Sequence, residues 1–241
     1  MSKVLFHRVL AAALAAVALL SGQQGRAAEV MDSTTFYDRQ PGQLFKGVAP
    51  ADMTVGFVEG QDVPYLTWKG ELSGKAVYVE LHGSALRIKV GERWVTRRLK
   101  AAKRLPGEKA TYLDAQGTAL YAQPDAAGKP AVMCLESLLP GAGQATPHRS
   151  VYVLMGLLTP SPQVFQLPSL YAACKGLTAL PGQGGAVDVA APAWLRSEPH
   201  KPGDFQIRYF RLGNKGFVRT PQRVSAHAAG PQLDEFTISQ P

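Results

Sequence analysis

The chain has 241 residues, a formal net charge of +8, 46% hydrophobic residues and only two cysteines. This length is enough for one large domain or two small ones, each able to bury a core. Beyond the N-terminal stretch, no apolar run approaches the roughly 20 residues that a membrane-spanning helix needs, which excludes an integral membrane span in the mature chain.

Residues 1–27 have the pattern of a secretory signal peptide. A short positive segment precedes the apolar stretch 9–20, and polar residues follow it. Cleavage is expected between Ala27 and Ala28, because this cut leaves a small residue directly before it. The mature chain would then span residues 28–241 and reside in the periplasm or be secreted.

The mature chain alternates short runs of Val, Tyr, Phe, Leu and Thr with Gly and Pro, which is typical of strands and turns. The predicted strands are 53–58, 65–69, 76–81, 85–90, 110–113, 118–122, 131–135, 151–158, 164–167, 205–212, 217–224 and 236–238. Hairpin turns are predicted at Gly91 and Glu92, at 114–117 and at 213–216, where Gly or Asn tolerates a positive φ.

The positive charge is concentrated between residues 87 and 109, where nine Lys or Arg stand against two Glu. Removal of Lys3, Arg8 and Arg26 with the signal peptide leaves the mature chain at +5. This segment alone contributes +7, so the remainder of the mature chain sums to about −2.

The basic segment has two structural interpretations. As a hairpin, it would place Lys89 opposite Trp94 and Arg87 opposite Thr96, with Arg98 on the same face. As a helix, apolar residues would recur at spacings of four and three at positions 95, 99 and 102. The prediction that combines both patterns is a strand to about residue 96, followed by a short basic helix or loop that ends at 106–107.

In either form an apolar anchor is surrounded by cations, which favours an anionic partner. The candidate ligand-binding residues are Arg87, Lys89, Trp94, Arg97, Arg98, Lys100, Lys103 and Arg104. The expected partner is an anionic envelope component, either a lipid headgroup or a glycan, or an acidic protein; nucleic acid is not expected. The competing interpretation is a solvated face whose cations protect a sheet edge from pairing.

Cys134 and Cys174 are the only cysteines, and an isolated pair in an exported protein most often forms a disulfide. The alternative is a reactive thiol with His148 as its base. The Pro/Gly/Ser-rich stretch 139–149 is the best candidate for a domain boundary, but the predicted disulfide crosses it.

Two strands indicate the architecture. Residues 151–158 are apolar at both odd and even positions, which face opposite sides of a strand. This pattern predicts a central strand buried on both faces. Phe205, Ile207 and Tyr209 alternate with polar residues, which predicts one solvated face. The predicted fold is all-β: an antiparallel β-sandwich or partly closed β-barrel with at most one or two short helices, forming a single domain over residues 28–241.

No recognised catalytic, phosphate-binding or metal-binding motif is present, and neither cofactor nor metal is expected. His82-Gly83-Ser84 fits a hairpin turn, and the polar stretch 198–204 fits a surface loop better than a metal site. The sequence therefore favours a non-enzymatic binding module. The alternative is an envelope-polymer hydrolase that uses paired carboxylates, drawn from residues such as Glu59, Asp62, Asp188, Asp234 and Glu235.

The run from Ala76 to Cys134 combines short strands, an Ala-Thr-Tyr segment at 110–112 and a cysteine-containing strand. In these features it is loosely similar to the small disulfide-bearing β-barrels that inhibit lysozymes in bacterial envelopes. The similarity covers about a quarter of the 241 residues, and the placement of the cysteines departs from that pattern. It implies a periplasmic inhibitor of a lysozyme-type enzyme as a special case of a binding module.

Overall fold

The computed structural model describes residues 29–57, 59–60, 64–123, 131–139, 148–181, 187–196, 203–229, 233 and 235–239. The predicted signal peptide lies outside these residues, as do most of the stretches 139–149 and 198–204. Within the described ranges, no helix is long and apolar enough to cross a membrane.

The described residues form fifteen strands and one short α-helix. The strands are β1 (Val30–Met31), β2 (Thr54–Phe57), β3 (Pro64–Leu72), β4 (Lys75–His82), β5 (Ala85–Val90), β6 (Arg93–Arg98), β7 (Ala119–Gln123), β8 (Val132–Leu138), β9 (Arg149–Met155), β10 (Gln163–Gln166), β11 (Thr178–Pro181), β12 (Val187–Arg196), β13 (Asp204–Gly213), β14 (Gly216–Ala228) and β15 (Phe236–Ser239). Helix α1 spans Ser33–Asp38, and single 3-10 turns span Leu99–Ala101 and Cys174–Gly176.

The strands form three antiparallel sheets in three layers. The five-stranded sheet has the order β2-β3-β4-β5-β6, the four-stranded sheet β10-β9-β8-β7 and the six-stranded sheet β1-β15-β14-β13-β12-β11. One face of the four-stranded sheet packs against the five-stranded sheet, and its other face packs against part of the six-stranded sheet. This arrangement confirms the all-β, sandwich-type prediction, with one helix of six residues.

Strand β9 confirms the prediction of a central strand buried on both faces. Tyr152 and Leu154 belong to the apolar cluster shared with the five-stranded sheet. Val151 and Val153 belong to the cluster shared with the six-stranded sheet. Each of the four side chains is at most 1% exposed, because a sheet covers each face of this strand.

The first half of β13 confirms the predicted alternation, since Phe205, Ile207 and Tyr209 are buried and Gln206 and Arg208 are not. The second half departs from it, because Phe210 and Leu212 are buried on the face that carries Arg208. The buried residues of the first half join an aromatic cluster beneath the six-stranded sheet. This cluster comprises Phe36, Tyr37, Tyr171, Trp194, Phe205, Ile207, Tyr209, Ala226, Ala228 and Phe236.

The predicted strand at 110–113 is wrong. This segment is irregular, and side chains satisfy its backbone in place of a neighbouring strand. The Thr111 amide donates to Oε1 of Gln166 at 3.3 Å, and the Tyr152 hydroxyl donates to the Thr111 carbonyl at 2.8 Å.

Strand β12 was not predicted, because its Ala- and Pro-rich sequence lacks the composition typical of strands. Pro192 lies within it, opposite Tyr209 of β13. Proline is tolerated there because β11 pairs only as far as Ala190, so beyond that point the described residues give β12 a strand neighbour on one side.

The predicted disulfide is present. Cys134 of β8 and Cys174 are bonded, with their Cα atoms 5.7 Å apart, and both are fully buried. The bond connects the middle sheet to the 3-10 turn that precedes β11. The reactive-thiol alternative is therefore wrong, and the disulfide is typical of a protein that folds outside the cytoplasm.

Candidate functional site

A groove lies on the outer face of the five-stranded sheet, and part of the predicted basic segment lines it. Its volume is about 660 Å³. The residues that line it are Lys69, Gly70, Ala76, Val77, Tyr78, Glu80, Arg87, Lys89, Gly91, Glu92 and Trp94. We refer to this feature as the groove.

The strand register builds the groove from residues of four strands. One row across the sheet contains Lys69, Tyr78, Lys89 and Trp94, each directly opposite the next. Directly opposite residues of antiparallel strands project from the same face with their Cβ atoms about 5 Å apart. A single row therefore alternates two cations with two aromatic rings.

The sharp turn between β5 and β6 sets this register. Val90 ends β5 and Arg93 begins β6, so Gly91 and Glu92 form a two-residue connection, with Gly91 at φ +56°. A positive φ at this position is readily adopted by glycine. The structure confirms the predicted opposition of Lys89 to Trp94 and of Arg87 to Thr96.

The aromatic rings of the groove are held at an angle to each other. Tyr78 and Trp94 have ring centroids 5.8 Å apart and an interplanar angle of 79°. The Arg87 guanidinium lies 4.6 Å from the Trp94 ring centroid, and the Lys89 ammonium lies 6.0 Å from it. Trp94 is 45% exposed, so it presents an aromatic surface to solvent next to positive charge.

The groove lining carries less positive charge than the basic segment 87–109, which contributes +7. Nη1 of Arg87 lies 3.2 Å from Oε1 of Glu80, and Nζ of Lys89 lies 3.2 Å from Oε2 of Glu92. Three cations against two carboxylates leave the lining at a net +1. Burial and the nearby Glu80 carboxylate raise the pKa of Tyr78, so its hydroxyl keeps its proton at neutral pH.

The structure divides the eight predicted residues into two sets. Arg87, Lys89 and Trp94 line the groove, and Arg98 lies on the same face of the sheet, opposite Ala85. Lys100 is exposed on the 3-10 turn outside the groove.

The other three predicted residues make contacts within the protein. Nε of Arg97 donates to the Pro162 carbonyl at 3.0 Å. Nζ of Lys103 donates to Gln163 at 2.6 Å, and a terminal nitrogen of Arg104 donates to the Lys100 carbonyl at 2.7 Å. Arg97 and Lys103 connect the basic segment to neighbouring elements, and Arg104 makes its contact within the segment. None of the three lines the groove.

The sequence prediction did not include Lys69, Tyr78, Glu80 and Glu92 as part of the site. A signal for Tyr78 and Glu80 was present: β4 alternates buried and partly exposed residues from Val77 to His82, which places these two residues on the outer face. The two-residue turn at Gly83 and Ser84 would then have given their register with β5.

Outside the groove, two histidines of the described chain each contact a polar side chain. His148 lies 3.0 Å from the Ser169 hydroxyl, and His227 pairs with Asp204. No group of three or more His, Cys, Asp or Glu suited to a metal ion occurs among the residues that the structure describes. A second depression of about 510 Å³ contains a single aromatic pair, Phe45 and Tyr121, and the pocket-lining Lys175 is paired with Asp38.

The chain matches no protein-family model, no curated protein and no solved structure. The geometry of the groove is therefore the main guide to the function of the chain.

Proposed function

We propose that this chain is an exported, non-enzymatic envelope protein that binds an acidic glycan in the groove. The observation that carries the proposal is the row formed by Lys69, Tyr78, Lys89 and Trp94 across four strands. Aromatic faces accept the apolar faces of sugar rings, and the adjacent ammonium groups attract their carboxylates.

A glycan fits the groove better than a lipid surface does. A protein binds an anionic membrane more strongly as the number of cations at its surface rises. The groove lining, with a net charge of +1, would be attracted to such a membrane only weakly. Glu80 and Glu92 would accept hydrogen bonds from sugar hydroxyls, which a purely cationic surface could not do.

A binding role is also favoured over hydrolysis. Each of the two carboxylates that line the groove already contacts a cation of the same sheet. A glycosidase requires one carboxyl group that donates a proton and a second that attacks or activates water. Because both carboxylates are paired with cations, neither is placed as the proton donor or as the nucleophile of a glycosidase. The pairing supports a role in binding the glycan.

Export is proposed from two observations. Residues 1–27 have the pattern of a signal peptide, and Cys134 and Cys174 form a disulfide. We infer a mature chain that begins at Ala28 and functions in the periplasm or after secretion.

Calorimetric titration of the purified protein with an oligogalacturonate tests the function. Trp94→Ala is expected to weaken binding about tenfold, which corresponds to about 1.4 kcal/mol. Lys89→Ala is expected to weaken it by a smaller factor that shrinks at high salt, because charge attraction is screened.

Two variants provide matched controls. Tyr112→Ala removes another exposed aromatic ring, and Lys100→Ala removes another cation of the basic segment, both outside the groove. Both should bind as the unmodified protein does. Equal affinity in Trp94→Ala, or no binding of acidic oligosaccharides by the unmodified protein, would overturn the proposal.

A further inference from the structure

A second group of cations lies on the six-stranded sheet, far from the basic segment in sequence. Arg208 of β13 is directly opposite Arg223 of β14, and Phe210 is directly opposite Arg219. The register therefore places Arg208, Arg219 and Arg223 on one face of the sheet, in adjacent rows. We refer to these residues as the arginine triad.

A bulge brings the triad together. Between the two paired positions, β13 advances by two residues and β14 by four, so two extra residues of β14 are accommodated at this point. The Thr220 hydroxyl donates to the Tyr209 carbonyl at 2.9 Å and holds the bulge against β13. Without the bulge, Arg219 and Arg223 would lie two rows apart instead of in consecutive rows.

The triad faces away from the aromatic cluster. Ile207 and Tyr209, which alternate with Arg208 along β13, are buried in that cluster. Arg219 and Arg223 are exposed. Two arginines directly opposite each other destabilise a sheet, because their charges repel.

This repulsion has no compensation within the part of the chain that the structure describes. No carboxylate there lies within 4.0 Å of any of the three guanidinium groups, whereas Arg211 of the same strand pairs with Asp188 at 2.9 Å. The Nε atom of Arg208 donates to Oε1 of Gln206, which fixes the side chain, and its two terminal nitrogens make no hydrogen bond to another described residue.

We propose that the arginine triad binds a phosphate group. Guanidinium groups bind phosphate through two parallel hydrogen bonds each, and a tetrahedral dianion has enough oxygens to accept from two opposed arginines at once. The bound charge would cancel the repulsion between Arg208 and Arg223. This site is on a different sheet from the groove and does not depend on the function proposed for it.

Thermal unfolding at low ionic strength tests this site with inorganic phosphate as the probe. At ten times the dissociation constant, phosphate is expected to raise Tm by about 3 to 5 °C, and sodium chloride of equal ionic strength should not. Arg223→Gln is expected to lose this shift, while its Tm without phosphate equals or exceeds that of the unmodified protein, because one of the opposed charges is gone.

The matched control is Arg196→Gln, which removes an exposed arginine of the same sheet. Arg196 is directly opposite Phe205 and therefore lies on the face of the sheet that does not carry the triad. It should retain the phosphate shift. A shift that persists in Arg223→Gln, or an equal shift with chloride, would overturn the proposal.

A second arm of the experiment identifies the source of the phosphate. Sedimentation with phosphatidylglycerol vesicles, compared with phosphatidylcholine vesicles, tests for a lipid headgroup. Binding that is lost in Arg223→Gln assigns the site to headgroup phosphate, and a response to inorganic phosphate alone assigns it to a soluble phosphate. Absence of both responses counts against any phosphate site.

Discussion

On the five-stranded sheet, Arg87 and Lys89 each lie 3.2 Å from a carboxylate, whereas Arg208 and Arg223 on the six-stranded sheet are directly opposite each other with no such partner in the described chain. The first pair comes from the densest cationic run of the sequence and the second from two strands whose arginines are spread out. Charge density along the chain is therefore a poor guide to unbalanced charge on the folded surface. Strand register decides which cations meet carboxylates and which meet each other.

The disulfide lies in neither region, and its removal gives the largest expected effect on stability. Replacement of both Cys134 and Cys174 by Ala should lower the free energy of unfolding by about 4 kcal/mol, because a long closed loop is released in the unfolded chain. The bond connects the middle sheet to the turn before β11, so ligand affinity at the groove should be unchanged well below Tm. Urea denaturation measures the first effect and calorimetric titration the second. A variant that loses groove affinity in its folded state would show that the two outer sheets are coupled.

Tyr37 tests the aromatic cluster beneath the six-stranded sheet. Its buried hydroxyl donates to the Tyr171 carbonyl at 2.5 Å and accepts from the Trp194 indole at 2.9 Å. Tyr37→Phe removes both hydrogen bonds and should cost about 2 kcal/mol in urea denaturation. The same change at Tyr112, which is 61% exposed, should have almost no effect. Equal costs at the two positions would contradict the role of the buried hydrogen bonds.

Asp32 tests the helix that covers this cluster, and its effect depends on pH. The Asp32 carboxylate caps α1 by accepting from the Thr35 amide at 2.6 Å, and the hydrogen bonds from Thr35 lower the pKa of Asp32. Asp32→Ala should cost about 1 kcal/mol at pH 7. Because the folded-state pKa is lowered, the contribution is complete above the unfolded value near 3.9 and is lost as pH falls through the folded value. Asp32→Asn retains a capping oxygen without the titration, so it should cost less than Asp32→Ala at pH 7. The stability advantage of the unmodified protein over either variant should decrease by the same amount as pH falls, and an advantage that does not change with pH would exclude this explanation.

Glu80 tests the charge balance of the groove and has the smallest effect on stability. Glu80→Gln should change the free energy of unfolding by less than about 0.5 kcal/mol, since exposed ion pairs contribute little. It raises the net charge of the groove lining from +1 to +2, so affinity for an oligogalacturonate should rise severalfold at low salt and less at high salt. Glu108→Gln changes the same charge within the basic segment but outside the groove, and provides the control. An equal gain in both variants would mean that only overall charge matters.

The parts of the fold that depend on neighbouring residues could be predicted from the sequence. The hairpin at Gly91 and Glu92 is local, so the turn fixed the opposition of Lys89 to Trp94. The two-sided burial of β9 followed from its unbroken apolar run. In both cases the determining residues lie within a few positions of each other.

Features that depend on distant partners could not be predicted. Pro192 disfavours a strand by its own chemistry, and only the short extent of β11 makes it acceptable in β12. The arginine triad requires both the pairing of β13 with β14 and the bulge between them. Nζ of Lys103 donates to Oε1 of Gln163 at 2.6 Å and to the Asn214 carbonyl at 2.5 Å. No local sequence pattern indicates that Lys103 makes these contacts instead of lining the groove.

Quenching of tryptophan fluorescence by acrylamide tests binding in the groove most directly. The chain has three tryptophans, and Trp94 is 45% exposed while Trp68 and Trp194 are 8% and 3% exposed, so the quenchable signal reports on Trp94. The account predicts that a saturating oligogalacturonate protects this signal and that Trp94→Phe shows neither the signal nor the protection. Quenching that stays unchanged while the glycan is bound would place the ligand elsewhere and contradict the account.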